Sequence, residues 1–102
     1  MEKLTKEMVE EVIEKARAKC NDFSGIKYCE WWAENTGIEN VKKLMVNIEW
    51  GDWKHEHAYA DWLVEETAKE NGMRILNQWD ELTDENGSDC YSALHHYVIV
   101  KA

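Results

Sequence analysis

The dipeptide Asn86-Gly87, placed between two apolar segments of alternating pattern, is the strongest constraint on the fold of this chain. A type I′ turn needs positive φ at both central residues, and Asn-Gly is the favoured pair for it. A turn at this position predicts a β-hairpin in which paired residue numbers sum to about 173. This register pairs Met73 with Val100, Ile75 with Val98 and Trp79 with Leu94 on one face, and His96 with Asn77 as a hydrogen-bonded core pair.

Two further elements precede the hairpin. Residues 43–50 alternate between apolar and polar side chains, which predicts a strand with one buried face. Residues 53–70 are helical in composition and end at Asn71-Gly72. The apolar run at 97–100 favours the middle position for the last strand, so we expect a three-stranded mixed sheet of order 2-3-1, a split βαβ unit.

The N-terminal part is predicted to be helical. Thr5 is a good N-cap, and apolar residues then recur at helical spacing until Cys20. A second, shorter helix over 26–35, ended by Thr36-Gly37, is an option. The fold class predicted is α+β in a single domain, 1–102, with a helical part (1–42) and an acidic βαββ part (43–102).

Charge is distributed unevenly along the chain. The 102 residues include 21 Asp and Glu against 12 Lys and Arg, a formal net charge of −9. This balance excludes a simple binder of nucleic acid or anionic lipid, because such binding begins with Lys and Arg neutralising phosphate. Residues 44–102 carry twelve acidic and four basic side chains, and no Lys or Arg lies between Ile75 and Val100. The predicted negative patch at the hairpin tip consists of Asp80, Glu81, Asp84, Glu85 and Asp89.

Six tryptophans are more than so small a core needs. Trp50, Trp79 and Trp32 have core positions in the predicted fold. Trp53 and Trp62 do not, and since tryptophan is enriched at binding hot spots, we expect these two to anchor a partner.

The sequence carries no motif for catalysis or metal binding. His55 and His57 lie two residues apart on a predicted helix and point about 200° apart, while neighbours such as His95 and His96 face opposite sides of a strand. The cysteines, Cys20, Cys29 and Cys90, form no Cys-x-x-Cys pair. We therefore expect no enzyme, no cofactor and no metal, with a zinc or Cys/His site assembled only in three dimensions as the weaker alternative. The odd number of cysteines and the lack of an apolar leader or span favour a reduced cytoplasmic setting without membrane contact.

These observations predict a small, non-enzymatic binding protein that docks on a basic surface of a partner protein, such as a nucleic-acid-binding protein, and inhibits or regulates it. In size and acidity the chain is similar to phage or mobile-element inhibitors that mimic nucleic acid, including anti-CRISPR proteins; the similarity is one of class, with no shared motif. The alternative is a homodimer through the outer sheet face, for which the predicted contact residues are Met45, Leu76, Tyr97 and Ile99.

Overall fold

A computed structural model describes residues 3–20, 24–85 and 89–102. The elements, in chain order, are α1 (Lys6–Lys19), a 3-10 turn (Gly25–Tyr28), β1 (Glu30–Asn35), β2 (Val41–Asp52), a π-helical turn (Trp53–His57), α2 (Ala58–Glu70), β3 (Met73–Glu85) and β4 (Cys90–Lys101). The strands form one sheet of order β1-β2-β4-β3, in which every pair of neighbours is antiparallel. Neither described α-helix has the length and apolar character that crossing a bilayer requires.

The prediction of a three-stranded mixed sheet is therefore wrong, because the sheet has a fourth strand. Residues 26–35 do not form a helix: a 3-10 turn leads into β1. Trp31 and Ala33 alternate with outward side chains and lie opposite Val46 and Leu44 of β2. The indole of Trp31 donates a 2.7 Å hydrogen bond to the carbonyl of Ile26, which fixes the turn against the strand.

Both helices pack on one face of the sheet. Thr5 caps α1 by accepting from the backbone N–H of Met8, and α1 buries its apolar stripe against the core. The sheet contributes side chains from β2 and β4 to the same core, and these are Leu44, Val46, Ile48, Tyr97 and Ile99. The opposite face carries a row that crosses all four strands: Trp32, Met45, His96 and Trp79.

The hairpin register differs from the single sum that the turn predicted. Before the first shift the predicted pairs are wrong by one residue, because Met73 lies opposite Lys101 and Ile75 opposite Ile99. After the shift between Ile75 and Asn77 the prediction for Trp79 is wrong by two residues, because Trp79 lies opposite His96 and not Leu94. The extra residue reverses the alternation of side chains between the two faces of the sheet. Ile75 therefore faces the helices, whereas Trp79 faces the opposite side. His96 accordingly pairs with Trp79 rather than with Asn77, and their rings stack at 4.6 Å. The predicted turn residues, Asn86-Gly87, lie outside the described residues.

The predicted dimer face does not exist as one surface. Tyr97 and Ile99 are fully buried beneath the helices, because β4 presents its odd-numbered residues to the core. Met45 lies on the opposite face and is 5% exposed, which leaves Leu76 as the one exposed residue of the four.

Gly51 marks an irregularity in β2 that a larger residue would disturb. A Cβ atom there would lie 2.7 Å from the Cγ2 atom of Ile48, which is fully buried. We expect Gly51→Ala to lower the free energy of unfolding by about 1–3 kcal/mol, the usual cost of overpacking a core. Chemical denaturation measures this change.

Gly25→Ala is the matched control, because its added Cβ atom would meet the flexible carboxylate end of Glu56 at 3.0 Å. That side chain can move aside, so the control loses less stability. Equal losses for the two variants would contradict the packing argument.

Candidate functional site

A buried histidine pair joins the central strand to the start of α2. His95 of β4 lies between Val46 of β2 and Asp80 of β3, and its side chain is fully buried on the helix-covered face. His57 ends the π-helical turn, whose start is capped by Asp52 through the backbone N–H of Lys54 at 2.7 Å. Nδ1 of His57 lies 2.7 Å from Nε2 of His95, so the two imidazoles hydrogen bond inside the protein.

The backbone carbonyl of Tyr91 fixes the proton positions in this pair. Nε2 of His57 lies 3.0 Å from that oxygen, which can only accept, so His57 carries its proton on Nε2. Trp53 and Tyr91 stack on this ring and offer it no charge, so Nδ1 of His57 is assigned as the acceptor in the bond to His95. His95 must then donate from Nε2, and its Nδ1 atom points toward Asp80 and Asp61.

Two carboxylates surround Nδ1 of His95. Oδ1 of Asp80 lies 2.7 Å away and Oδ1 of Asp61 lies 3.5 Å away. Despite these short separations, the buried Nδ1 atom makes no hydrogen bond of acceptable geometry. Asp61 in turn accepts a 2.5 Å hydrogen bond from the hydroxyl of Tyr97. The site thus combines imidazole, carboxylate and phenol groups from α2, β3 and β4.

The environment shifts two pKa values in this cluster. Burial by itself would lower the pKa of His95, but the interactions with Asp61 and Asp80 outweigh it and raise the pKa above its ordinary value. Burial, reinforced by the negative charge of Asp61 and by its hydrogen bond, raises the pKa of Tyr97 far above that of a free phenol. Tyr97 therefore stays protonated and acts as a hydrogen-bond donor.

Aromatic rings and a groove border the cluster. Tyr91 stacks on His57 with ring centroids 4.4 Å apart, and Trp53 stacks on Tyr91 at 5.8 Å. A depression of about 370 Å³ lies on the same side of the hairpin, with Asp80 in its wall. Its lining residues are Asp80, Leu82, Glu85, Tyr91 and Ala93. Solvent and small ligands can therefore reach Asp80, although His95 itself is buried.

The ligand atoms of Asp61, Asp80 and His95 all lie within 4.8 Å of one another, close enough to share a cation. A neutral His95 would offer its Nδ1 lone pair there, and a protonated one would form an ion pair with Asp80. Among the described residues, this is the group of histidine and carboxylate side chains whose spacing suits a metal ion.

The predicted negative patch is divided by the sheet. Asp80 faces His95 on the helix-covered side, whereas Glu81 lies on the other side near His96, with 3.3 Å between Oε1 and Nε2. Asp84 and Glu85 end β3 and are exposed, as is Asp89 beyond the undescribed segment.

The two predicted anchors are both exposed, Trp53 by 46% and Trp62 by 55%. Trp53 stacks on Tyr91 and His57, and Trp62 stacks on Tyr59 along α2. Each indole is therefore held by a ring contact and still exposes about half of its surface.

Sequence reasoning missed the cluster of His57, Asp61, Asp80 and His95. A signal was available, because these polar side chains occupy positions that face the core. The predicted hairpin register, however, placed His95 on the outer face of the sheet. The cysteines are not part of this cluster. Burial raises the pKa values of Cys20 and Cys29, which disfavours their thiolates.

Comparison with known proteins adds no assignment, because no family model, curated protein or solved structure matches this chain.

The proton arrangement can be read directly by NMR of the histidine rings. We expect His57 to be the neutral tautomer with its proton on Nε2, and His95 to carry a slowly exchanging proton on its own Nε2 atom. Ring ¹⁵N shifts and the couplings to ring carbon protons distinguish the tautomers.

His55, whose side chain is 81% exposed, serves as the reference for a ring in fast exchange with solvent. A proton on Nδ1 of His57 would overturn the arrangement derived from the Tyr91 carbonyl.

Proposed function

We propose that this chain is a small acidic binding protein that docks on a basic surface of a partner protein and inhibits or regulates it. The observation that carries the proposal is the outer half of β3. All ten residues from Leu76 to Glu85 are exposed, although eight of them pair with β4 and the other two, Leu76 and Thr83, lie at the shifts of register. A strand this open, at the sheet edge, is suited to contact another molecule.

Electrostatics support a basic partner. Glu81, Asp84 and Glu85 project from β3, and the hairpin itself has no Lys or Arg between Ile75 and Val100. A local negative potential of this kind accelerates association with a positive surface and weakens as salt increases. A protein whose ordinary ligand is nucleic acid has such a surface, so the partner class proposed is a nucleic-acid-binding protein.

Apolar side chains on the same strand provide contact area. Leu76, Trp79 and Leu82 are 55%, 43% and 51% exposed. Trp79 is held in place by its stack on His96 and by Lys43, whose Nζ atom lies 5.1 Å from the ring. An ordered tryptophan loses little conformational entropy on binding, which favours its use as an anchor. Trp53 and Trp62 are the two further anchors that we propose.

The same proposal includes three further points: the chain inhibits its partner, it comes from a phage or mobile element, and it acts in the cytoplasm. They rest on the small size, the acidity and the odd number of cysteines. Homodimerisation is a separate question, which sedimentation of the purified protein at high micromolar concentration answers.

Charge reversal on the hairpin tests the proposal. We expect the triple variant Glu81→Lys, Asp84→Lys, Glu85→Lys to reduce partner capture from a cell lysate at least tenfold, because attraction becomes repulsion. Capture is run at low and high salt, with and without added DNA, and the retained proteins are identified by mass spectrometry. Partners retained by the native chain should be released by salt and should compete with DNA.

The triple variant Glu7→Lys, Glu10→Lys, Glu14→Lys is the matched control, since it makes the same change of net charge on α1. It should retain the partners that the hairpin variant loses. If all three chains retain the same proteins, or if the control loses as much as the hairpin variant, the hairpin is not the docking surface.

A further inference from the structure

We propose that Asp61, Asp80 and His95 bind one divalent transition-metal ion of the zinc type. The proposed site is separate from docking by the hairpin and does not depend on it. Its ligands come from three elements that are distant in sequence: the first turn of α2, the exposed edge strand β3 and the central strand β4.

The spacing of the ligand atoms suits a shared ion. Nδ1 of His95 lies 2.7 Å from Oδ1 of Asp80 and 3.5 Å from Oδ1 of Asp61. Nitrogen and oxygen ligands at about 2.0–2.2 Å from zinc lie about 3–3.5 Å from each other. Small side-chain adjustments therefore suffice to place all three atoms around one ion.

The second observation is the state of the His95 ring. The Tyr91 carbonyl and His57 together assign the proton of a neutral His95 to Nε2, which leaves a buried lone pair on Nδ1 facing two carboxylates. That atom has no hydrogen bond of acceptable geometry, and its side chain is fully buried. Three lone-pair donors within 4.8 Å of one another repel each other unless positive charge lies between them, and a divalent ion supplies that charge.

The surrounding contacts resemble those that orient ligands at metal sites in general. Histidine ligands commonly donate their second ring N–H to an acceptor that fixes the tautomer, and here His57 is that acceptor. Ligating carboxylates are commonly hydrogen bonded as well, and Tyr97 donates to Asp61.

Access and ligand type indicate which ion fits. The side chains of Asp61 and Asp80 are 26% and 32% exposed, so an ion can enter from solvent. Three protein ligands would leave at least one position for water or a small anion, and Asp80 borders the groove. Imidazole together with carboxylate favours zinc over magnesium, which prefers oxygen ligands and retains its waters.

Calorimetric titration of the metal-free full-length chain with Zn²⁺ tests the proposal. We expect one ion per chain, with Mg²⁺ binding far more weakly. Asp61→Asn and Asp80→Asn should each weaken Zn²⁺ binding more than tenfold. Tyr97→Phe removes only the hydrogen bond to Asp61 and should weaken it about tenfold.

Two variants serve as matched controls. Asp84→Asn removes a carboxylate from the same strand, and His55→Gln removes the exposed histidine beside Asp52, so neither should change the affinity. The triple hairpin variant at Glu81, Asp84 and Glu85 keeps all three metal ligands. If it loses partner capture but still binds Zn²⁺, the docking surface and the metal site are independent of each other.

NMR of the native chain gives a readout that does not depend on the folding of a variant. Zn²⁺ should shift the Nδ1 resonance of His95 while the Nε2 proton remains in place. Three results would overturn the proposal: a lack of saturable Zn²⁺ binding, binding that survives Asp80→Asn in a folded protein, or a Zn²⁺-induced shift confined to the His55 resonances. His95 would then be an imidazolium paired with Asp80.

Discussion

The hydrogen bond between His57 and His95 joins the start of α2 to the central strand β4. His95 is held by a central strand, and His57 stands at the junction of the π-helical turn and α2, so this 2.7 Å contact fixes where the helix begins over the sheet. The Tyr91 carbonyl makes the contact directional, because it leaves His57 only one nitrogen with which to accept. A polar pair in an otherwise apolar core restricts α2 to the placement in which both rings are satisfied.

The shifts of register in β3 let one strand serve two environments. Before the first shift, Met73 and Ile75 pack toward the core, as their apolar character requires. After it, the parity of the strand is reversed, so Asp80 turns toward His95 and Trp79 toward the opposite face. Without the extra residue, Trp79 would compete for the space beside α2 and Asp80 would face away from the histidines. The buried cluster and the ordered surface tryptophan thus have the same structural origin.

Local signals in the sequence account for the parts of the fold that short-range chemistry determines. Thr5 and the apolar spacing after it define α1, and the alternation around Leu44 and Val46 defines β2, because capping and periodicity act within a few residues. The strand β1 was missed because six residues with adjacent Trp31 and Trp32 fit a short helix as well as a strand, and only pairing with β2 decides between them. The site was missed for a related reason: a bulge leaves no clear signature in sequence, yet it decides which face every later residue of β3 occupies.

The acidic excess of residues 44–102 separates into two groups once the side chains have positions. Asp61 and Asp80 converge on a buried imidazole, where desolvation makes their charge costly unless a proton or a cation compensates it. Glu81, Asp84 and Glu85 remain exposed, where water screens them and their charge acts at longer range on an approaching partner. Net charge alone cannot distinguish these groups, since each carboxylate contributes equally to the total of −9. What differs is the neighbour of each carboxylate: Asp61 and Asp80 face the buried His95 ring and support the proposed ion site, whereas the other three face solvent and support the proposed docking surface.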